Sequence, residues 1–170
     1  MKRKGTLGVF RCGRTWIALA ALLAAGGAQA QELKGFGDDI AALKANGQFC
    51  EIIVTRNGTL VQNVDATELG SATGAGLAGA ATVTTSNASY DLVAEAPSGF
   101  AVMPATGNQG TVFSSSLSGR GATTFFDQPG NRRTRLKKGT TNIEVNLSAK
   151  KLSGSFAAGN YRADLTLRCE

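Results

Sequence analysis

Histidine is absent from the whole chain of 170 residues, and its absence limits the chemistry that the sequence can perform. Without an imidazole, the chain cannot build a Ser-His-Asp or Cys-His catalytic group or a histidine-ligated zinc site. The serine-rich segment 114–118 offers hydroxyl groups, but the sequence places no base beside them. We interpret this segment as an edge strand with a hydroxyl face. The sequence therefore predicts a non-enzymatic protein with no catalytic residues, metal site or cofactor.

Two further segments resemble ligand-binding motifs only superficially. Asp38 and Asp39 lack the regular oxygen spacing of a calcium-binding loop, and two adjacent acids suit the start of a helix better. The glycine-rich segment 70–79, GSATGAGLAG, lacks the lysine and hydroxyl residue of a phosphate-binding loop. It is predicted to be a flexible loop between strands.

Basic residues are concentrated between positions 120 and 151, where only Asp127 and Glu144 are acidic. Five of these cations form a compact group that could bind an anionic envelope polymer or a protein partner: Arg132, Arg133, Arg135, Lys137 and Lys138. The alternative is a solvated face whose charges discourage aggregation between strand edges. Only Phe125 and Phe126 could supply base stacking nearby, so nucleic acid is not an expected partner.

Residues 1–30 have the composition of a secretory signal peptide. Five cations come first, an apolar run from Trp16 to Ala25 follows, and Ala28 and Ala30 provide the small side chains that signal peptidase accepts. About ten apolar residues are too few for a membrane span, which needs roughly twenty in a helix. We predict cleavage after Ala30 and export to the periplasm or cell surface of a bacterium; a buried N-terminal helix is the alternative.

Removal of the signal peptide changes the net charge of the chain. Five of the 18 Lys and Arg residues lie in 1–30, which holds no acid, so the mature chain has 13 cations, 12 acids and a net charge of +1. A nearly neutral mature chain gives little support to nucleic-acid binding. No membrane span is expected in the mature chain, and the sequence leaves its oligomeric state open.

Two cysteines, Cys50 and Cys169, remain in the predicted mature chain. Each belongs to an alternating apolar pattern, so both thiols can point into one core. Because exported proteins fold in an oxidising compartment, we predict a disulfide between them rather than two free buried thiols.

The rest of the mature chain is predicted to form an all-β domain over 48–170, preceded by a short helical leader over 31–47. Asn57 and Gly58 predict a tight hairpin turn. Further strands are expected over 80–85, 89–94, 99–103, 111–117, 122–126, 142–147 and 161–169. Many short strands separated by turn-forming segments favour a single antiparallel β-sandwich.

The C-terminal segments GTTNIEVNLSA and AAGNYRADLTLRC resemble the last strands of bacterial secreted immunoglobulin-like domains. These include fimbrial subunits and domains of the spore coat protein U type. The resemblance implies an immunoglobulin-like sandwich and a periplasmic or surface location. It also implies polymerisation by donor-strand exchange, but residues 31–47 do not alternate as a donor strand would.

Three functions are compatible with these patterns. The first is an exported, non-catalytic binding or structural module of the envelope or extracellular space. The second is a fimbrial or coat subunit that assembles by donor-strand exchange. The third is a hydrolase that uses carboxylates alone.

Overall fold

A computed structural model describes residues 3–11 and 47–170, and in this part of the chain it contains β-strands and no helix. The strands are β1 (Arg3–Arg11), β2 (Cys50–Arg56), β3 (Val61–Gln62), β4 (Glu68–Gly70), β5 (Gly79–Thr85), β6 (Asp91–Glu95), β7 (Thr111–Gly121), β8 (Phe125–Pro129), β9 (Thr134–Arg135), β10 (Gly139–Lys151) and β11 (Arg162–Cys169). The predicted all-β class is confirmed for these residues. Apart from Gly47, the predicted helical leader lies outside them, as do residues 1–2 and 12–30 of the predicted signal peptide.

The strands form two antiparallel sheets. The smaller sheet has the order β1-β11-β6-β9, and the larger has the order β2-β5-β10-β4-β3, with β7 on the other side of β10 and β8 beyond β7. After β5 the chain alternates between the sheets, since β6, β9 and β11 belong to the smaller one and β7, β8 and β10 to the larger one.

Strand β10 organises the larger sheet because it pairs with three neighbours. Its first half pairs with β5, residues 148–150 pair with β4, and β7 follows its other edge from Thr141 to Lys151. Between the parts of β10 that pair with β5 and with β4, Ser71 makes the hydrogen bonds that a neighbouring strand would otherwise make. Its backbone nitrogen donates to the carbonyl of Leu147 at 3.0 Å, and its hydroxyl accepts from the nitrogen of Leu147 at 3.0 Å.

Both sheets contribute to one hydrophobic core. In β10 the odd-numbered residues from Thr141 to Lys151 are buried, and in β11 those from Ala163 to Cys169 are buried. The alternation predicted around Cys169 is therefore present in β11, and β10 shows the same pattern, as a strand with one dry face requires. At one end of the core, the rings of Phe100, Phe156 and Tyr161 meet edge to face.

The predicted hairpin at Asn57 and Gly58 is wrong. Strand β2 pairs with β5, while β3 pairs with β4, so the two runs on either side of this dipeptide never pair with each other. Neither residue has the positive φ of a tight hairpin turn. The actual hairpin joins β3 to β4, where the side-chain oxygen of Asn63 accepts from the nitrogens of Thr67 and Glu68.

Two other strand predictions need correction. Segment 99–103 forms no strand, only an isolated bridge between Val102 and Arg162. Segment 114–118 lies in β7, which is not an edge strand at Ser116, since this residue pairs with Asn146 on one side and Pro129 on the other. Ser114, Ser116 and Ser118 nevertheless occupy alternate positions, and Leu117 between the last two is buried.

Candidate functional site

Cys50 and Cys169, predicted to pair, lie at disulfide-bonding distance, with their Cα atoms 6.3 Å apart. Cys50 begins β2 at the edge of the larger sheet, and Cys169 ends β11 in the smaller sheet. The bond therefore connects the two sheets across 119 residues of sequence. A link over so long a loop restricts the unfolded chain strongly.

Strand β1 covers one edge of β11. The two strands are antiparallel, with Arg3 opposite Cys169 and Arg11 opposite Arg162, and the register shifts between Leu7 and Phe10. The other edge of β11 pairs with β6. Within the described residues, β1 is thus the element that supplies backbone hydrogen bonds along this edge of β11.

The five predicted anion-binding residues all lie in the segment between β8 and β10, and the structure leaves all five exposed. Two of them are engaged in ion pairs. Arg133 contacts the carboxylate of Glu170 at 2.9 Å, and Arg135 contacts that of Asp91 at 2.9 Å. Arg132, Lys137 and Lys138 form no salt bridge with any described residue, so these three are the cations available to an anionic partner.

Arg168 extends the ion pairs at the end of β11. Its guanidinium lies 3.0 Å from the carboxylate of Glu95 and also contacts Glu170, which pairs with Arg133 as well. This group ties the segment after β8 to the last strand. Part of the basic segment is consequently bound to acids of the protein itself.

Lys151 belongs to the same basic stretch of sequence but lies inside the protein, with 9% of its surface exposed. Its ammonium group donates to the carbonyl oxygens of Thr106, Gly107 and Gln109 at 2.9, 3.1 and 2.6 Å, and lies 5.2 Å from the ring centroid of Phe156. This arrangement satisfies a buried charge and fixes the loop between β6 and β7.

A shallow pocket of about 170 Å³ lies where β7, β10 and β4 meet. Apolar surface forms the larger share of its lining, and the polar side chains that line it are Glu68, Thr73, Ser114, Ser116, Asn146 and Ser148. No binding role was predicted for the pocket residues outside β7. Their alternation along β10 could have shown that Asn146 and Ser148 share the solvent-facing side, but not that β4 brings Glu68 beside them.

The buried position of Lys151 was not predicted either, although the sequence pattern of β10 indicates it. The inward positions of β10 alternate from Thr141 onward, and Lys151 falls on one of them, whereas Lys150 falls on an exposed one. A lysine at an inward position requires acceptors within the fold. Its acceptors lie 42 to 45 residues away in sequence, and no local pattern identifies them.

Among the described residues, no group of three or more acidic or cysteine side chains could hold a metal ion. No membrane-spanning helix is found in the part of the chain that the structure covers. Comparisons of the chain with protein-family models, curated proteins and solved structures gave no match.

Proposed function

We propose that this protein is an exported, non-catalytic immunoglobulin-like β-sandwich that serves as a structural or binding module of a bacterial envelope or extracellular surface. The observation that carries the proposal is the pairing of Cys50 with Cys169 between the two sheets. Disulfides persist in oxidising compartments, and residues 1–30 have the composition needed to reach one. Two antiparallel sheets that share one hydrophobic core support the sandwich.

The compartment can be tested by mass spectrometry of periplasmic and culture fractions. We expect a mature chain that begins at Gln31 and whose two cysteines resist alkylation until a reductant is added. An intact Met1 terminus in the cytosol, or two freely alkylated thiols in the native protein, would contradict the proposal.

The binding role is assigned to the exposed basic segment. Lys137 and Lys138 have no ionic partner among the described residues, so they can approach an anionic polymer without first breaking a contact. Arg133 and Arg135 must exchange Glu170 and Asp91 for the ligand. Long-range attraction depends on net charge, whereas direct contact depends on which cations are available.

A pair of double variants separates these two effects. Lys137→Ser with Lys138→Ser and Arg133→Ser with Arg135→Ser remove the same charge, so each serves as the matched control for the other. We expect both to lower salt-sensitive retention on immobilised lipopolysaccharide, with the larger loss for the lysine pair. Equal losses would show a net-charge effect without a contact surface, and no loss from either would refute binding by this segment.

Strand β1 favours a second candidate function, an assembly subunit that accepts a strand from another chain. If the signal peptide is cleaved after Ala30, the strand Arg3–Arg11 is removed and one edge of β11 loses its partner. An unpaired edge of this length is a site for strand addition. The interior side chains Leu165 and Leu167 of β11 lie beneath this edge.

A peptide of sequence RKGTLGVFR, which reproduces Arg3–Arg11, tests whether the edge accepts a strand. We expect it to bind the mature protein and to slow amide exchange along β11, while a scrambled peptide of equal charge does not. A mature protein that is monomeric and already protected along β11 without peptide would show that the edge is covered by its own chain, and would remove this second candidate.

A further inference from the structure

The pocket between β4, β7 and β10 contains polar side chains that have no role in the proposed function. Its hydroxyl, amide and carboxylate groups converge on one small volume, on the side of the larger sheet opposite the core. Cross-strand pairing sets this arrangement, since Ser116 lies opposite Asn146 and Ser114 lies opposite Ser148. Directly paired residues project from the same face of a sheet, so these four side chains form one polar surface.

Strand β4 closes the polar surface on one side. Glu68 and Ser148 belong to neighbouring strands, and the hydroxyl of Ser148 donates to a carboxylate oxygen of Glu68 at 2.7 Å. Ser71 directly follows β4 on the same edge of β10, and its hydroxyl donates to the side-chain oxygen of Asn146 at 2.9 Å. These bonds orient Glu68 and Asn146 in the absence of a ligand.

The same bonds leave hydrogen-bonding capacity free. Within the described residues, the hydroxyls of Thr73, Ser114 and Ser116 have no hydrogen-bond partner, and the amide nitrogen of Asn146 has none either. Glu68 forms no salt bridge with any described cation, so its second carboxylate oxygen can accept bonds. The pocket thus offers both free donors and free acceptors, as a molecule with several adjacent hydroxyl groups requires.

Size and charge narrow the class of ligand. A volume of about 170 Å³ is below the roughly 300 Å³ typical of the smallest drug-sized sites, and it limits the occupant to a unit of about one ring. The carboxylate of Glu68 disfavours an anionic ligand and pairs well with two neighbouring hydroxyl groups. We propose that this pocket binds one neutral sugar ring of a glycan.

This inference goes beyond the proposed function, since the basic segment would bind anionic polymer whereas this pocket would select a neutral sugar. The test uses purified protein with the bond between Cys50 and Cys169 intact. Nuclear magnetic resonance spectra of the amides are recorded during titration with glucose, galactose, N-acetylglucosamine and glucuronic acid. We expect saturable shifts at residues 68–73, 114–116 and 146–148 with at least one neutral sugar, and weaker shifts with glucuronic acid.

Variants determine whether the shifts report the pocket. Ser114→Ala with Ser116→Ala removes two hydroxyls that make no hydrogen bond to any described residue, so the fold is expected to remain intact. Losing two hydrogen bonds weakens sugar binding by about fivefold or more. Ser153→Ala, at an exposed loop position, is the control and leaves the affinity unchanged.

Glu68→Gln tests the charge argument separately. It keeps an acceptor for Ser148 but removes the negative charge, so the preference for glucose over glucuronic acid is expected to fall. The absence of saturable shifts up to about 50 mM with all three neutral sugars overturns the proposal. So does binding that the double serine variant leaves unchanged.

Discussion

Replacing Lys151 by methionine removes a buried charge while keeping a long unbranched side chain. The perturbation breaks three hydrogen bonds to the loop between β6 and β7, from the ammonium group to the carbonyls of Thr106, Gly107 and Gln109. It also removes the cation from its position beside the ring of Phe156. The matched control is Lys150→Met, because Lys150 is the preceding residue of β10 and points to solvent.

The expected loss of stability depends on whether water can replace the ammonium group as the hydrogen-bond donor to each of the three carbonyls. The contact to Gly107 is buried, so this carbonyl remains without a partner and costs about 1–3 kcal/mol. The contacts to Thr106 and Gln109 are partly buried, and their carbonyls can be hydrated at a smaller cost. Loss of the cation–π contact adds about 1 kcal/mol. We expect Lys151→Met to lower the free energy of unfolding by about 2–4 kcal/mol, and Lys150→Met to change it by less than about 0.5 kcal/mol.

Urea unfolding followed by circular dichroism measures the two free energies, and amide exchange measures the loop locally. In Lys151→Met, the nitrogens of Gly107, Gln109 and Thr111, which bond within the loop, are expected to exchange faster. Their exchange in Lys150→Met is expected to match that of the unmodified protein. Equal stability of the two variants, with unchanged exchange in the loop, would refute the conclusion that Lys151 holds the loop in place.

Four further predictions concern the framework of the fold. Replacing Cys50 and Cys169 by alanine is expected to lower the free energy of unfolding by up to about 5 kcal/mol, from the 119-residue separation, and an unchanged urea midpoint would contradict this. Leu165→Ala, at a fully buried position of β11, is expected to cost about 2–5 kcal/mol in the same assay; a cost below about 1 kcal/mol would place this side chain outside the core. Arg135→Ala removes an ion pair in which Arg135 is largely exposed and Asp91 is mostly buried, and it is expected to cost about 1 kcal/mol; a much larger loss in thermal unfolding would show that Arg135 supports the fold in another way. Asn63→Ala leaves two backbone nitrogens of the β3-β4 turn without their acceptor and is expected to lower the free energy of unfolding by about 1–2 kcal/mol. Unchanged stability would contradict this prediction.

Several parts of the fold could be predicted because they depend on local patterns. Alternating polar and apolar residues identified β10 and β11 and the face of each that enters the core. The same patterns indicated that Cys50 and Cys169 can face a common interior. Alternation is a property of the extended chain itself, so it can be detected before any neighbour is known.

Strand pairing was harder to predict, as the turn at Asn57 and Gly58 shows. This dipeptide favours a hairpin locally, but β2 pairs with β5 instead, and the hairpin forms around Asn63. A turn preference of about 1 kcal/mol is small beside the burial of whole strands. The pairing that buries the most apolar surface therefore overrides the local preference.

For the candidate sites, the sequence by itself determined which groups the protein has, namely cations, carboxylates and hydroxyls without histidine, and which side of a strand each one occupies. Only the tertiary structure decided their partners. It paired Arg133 with Glu170, enclosed Lys151 in carbonyl oxygens, and placed Glu68 beside Ser148, 80 residues away in sequence. Hydrogen bonds and ion pairs act only over a few ångströms, and which distant residues come within that distance depends on how all the strands pack together.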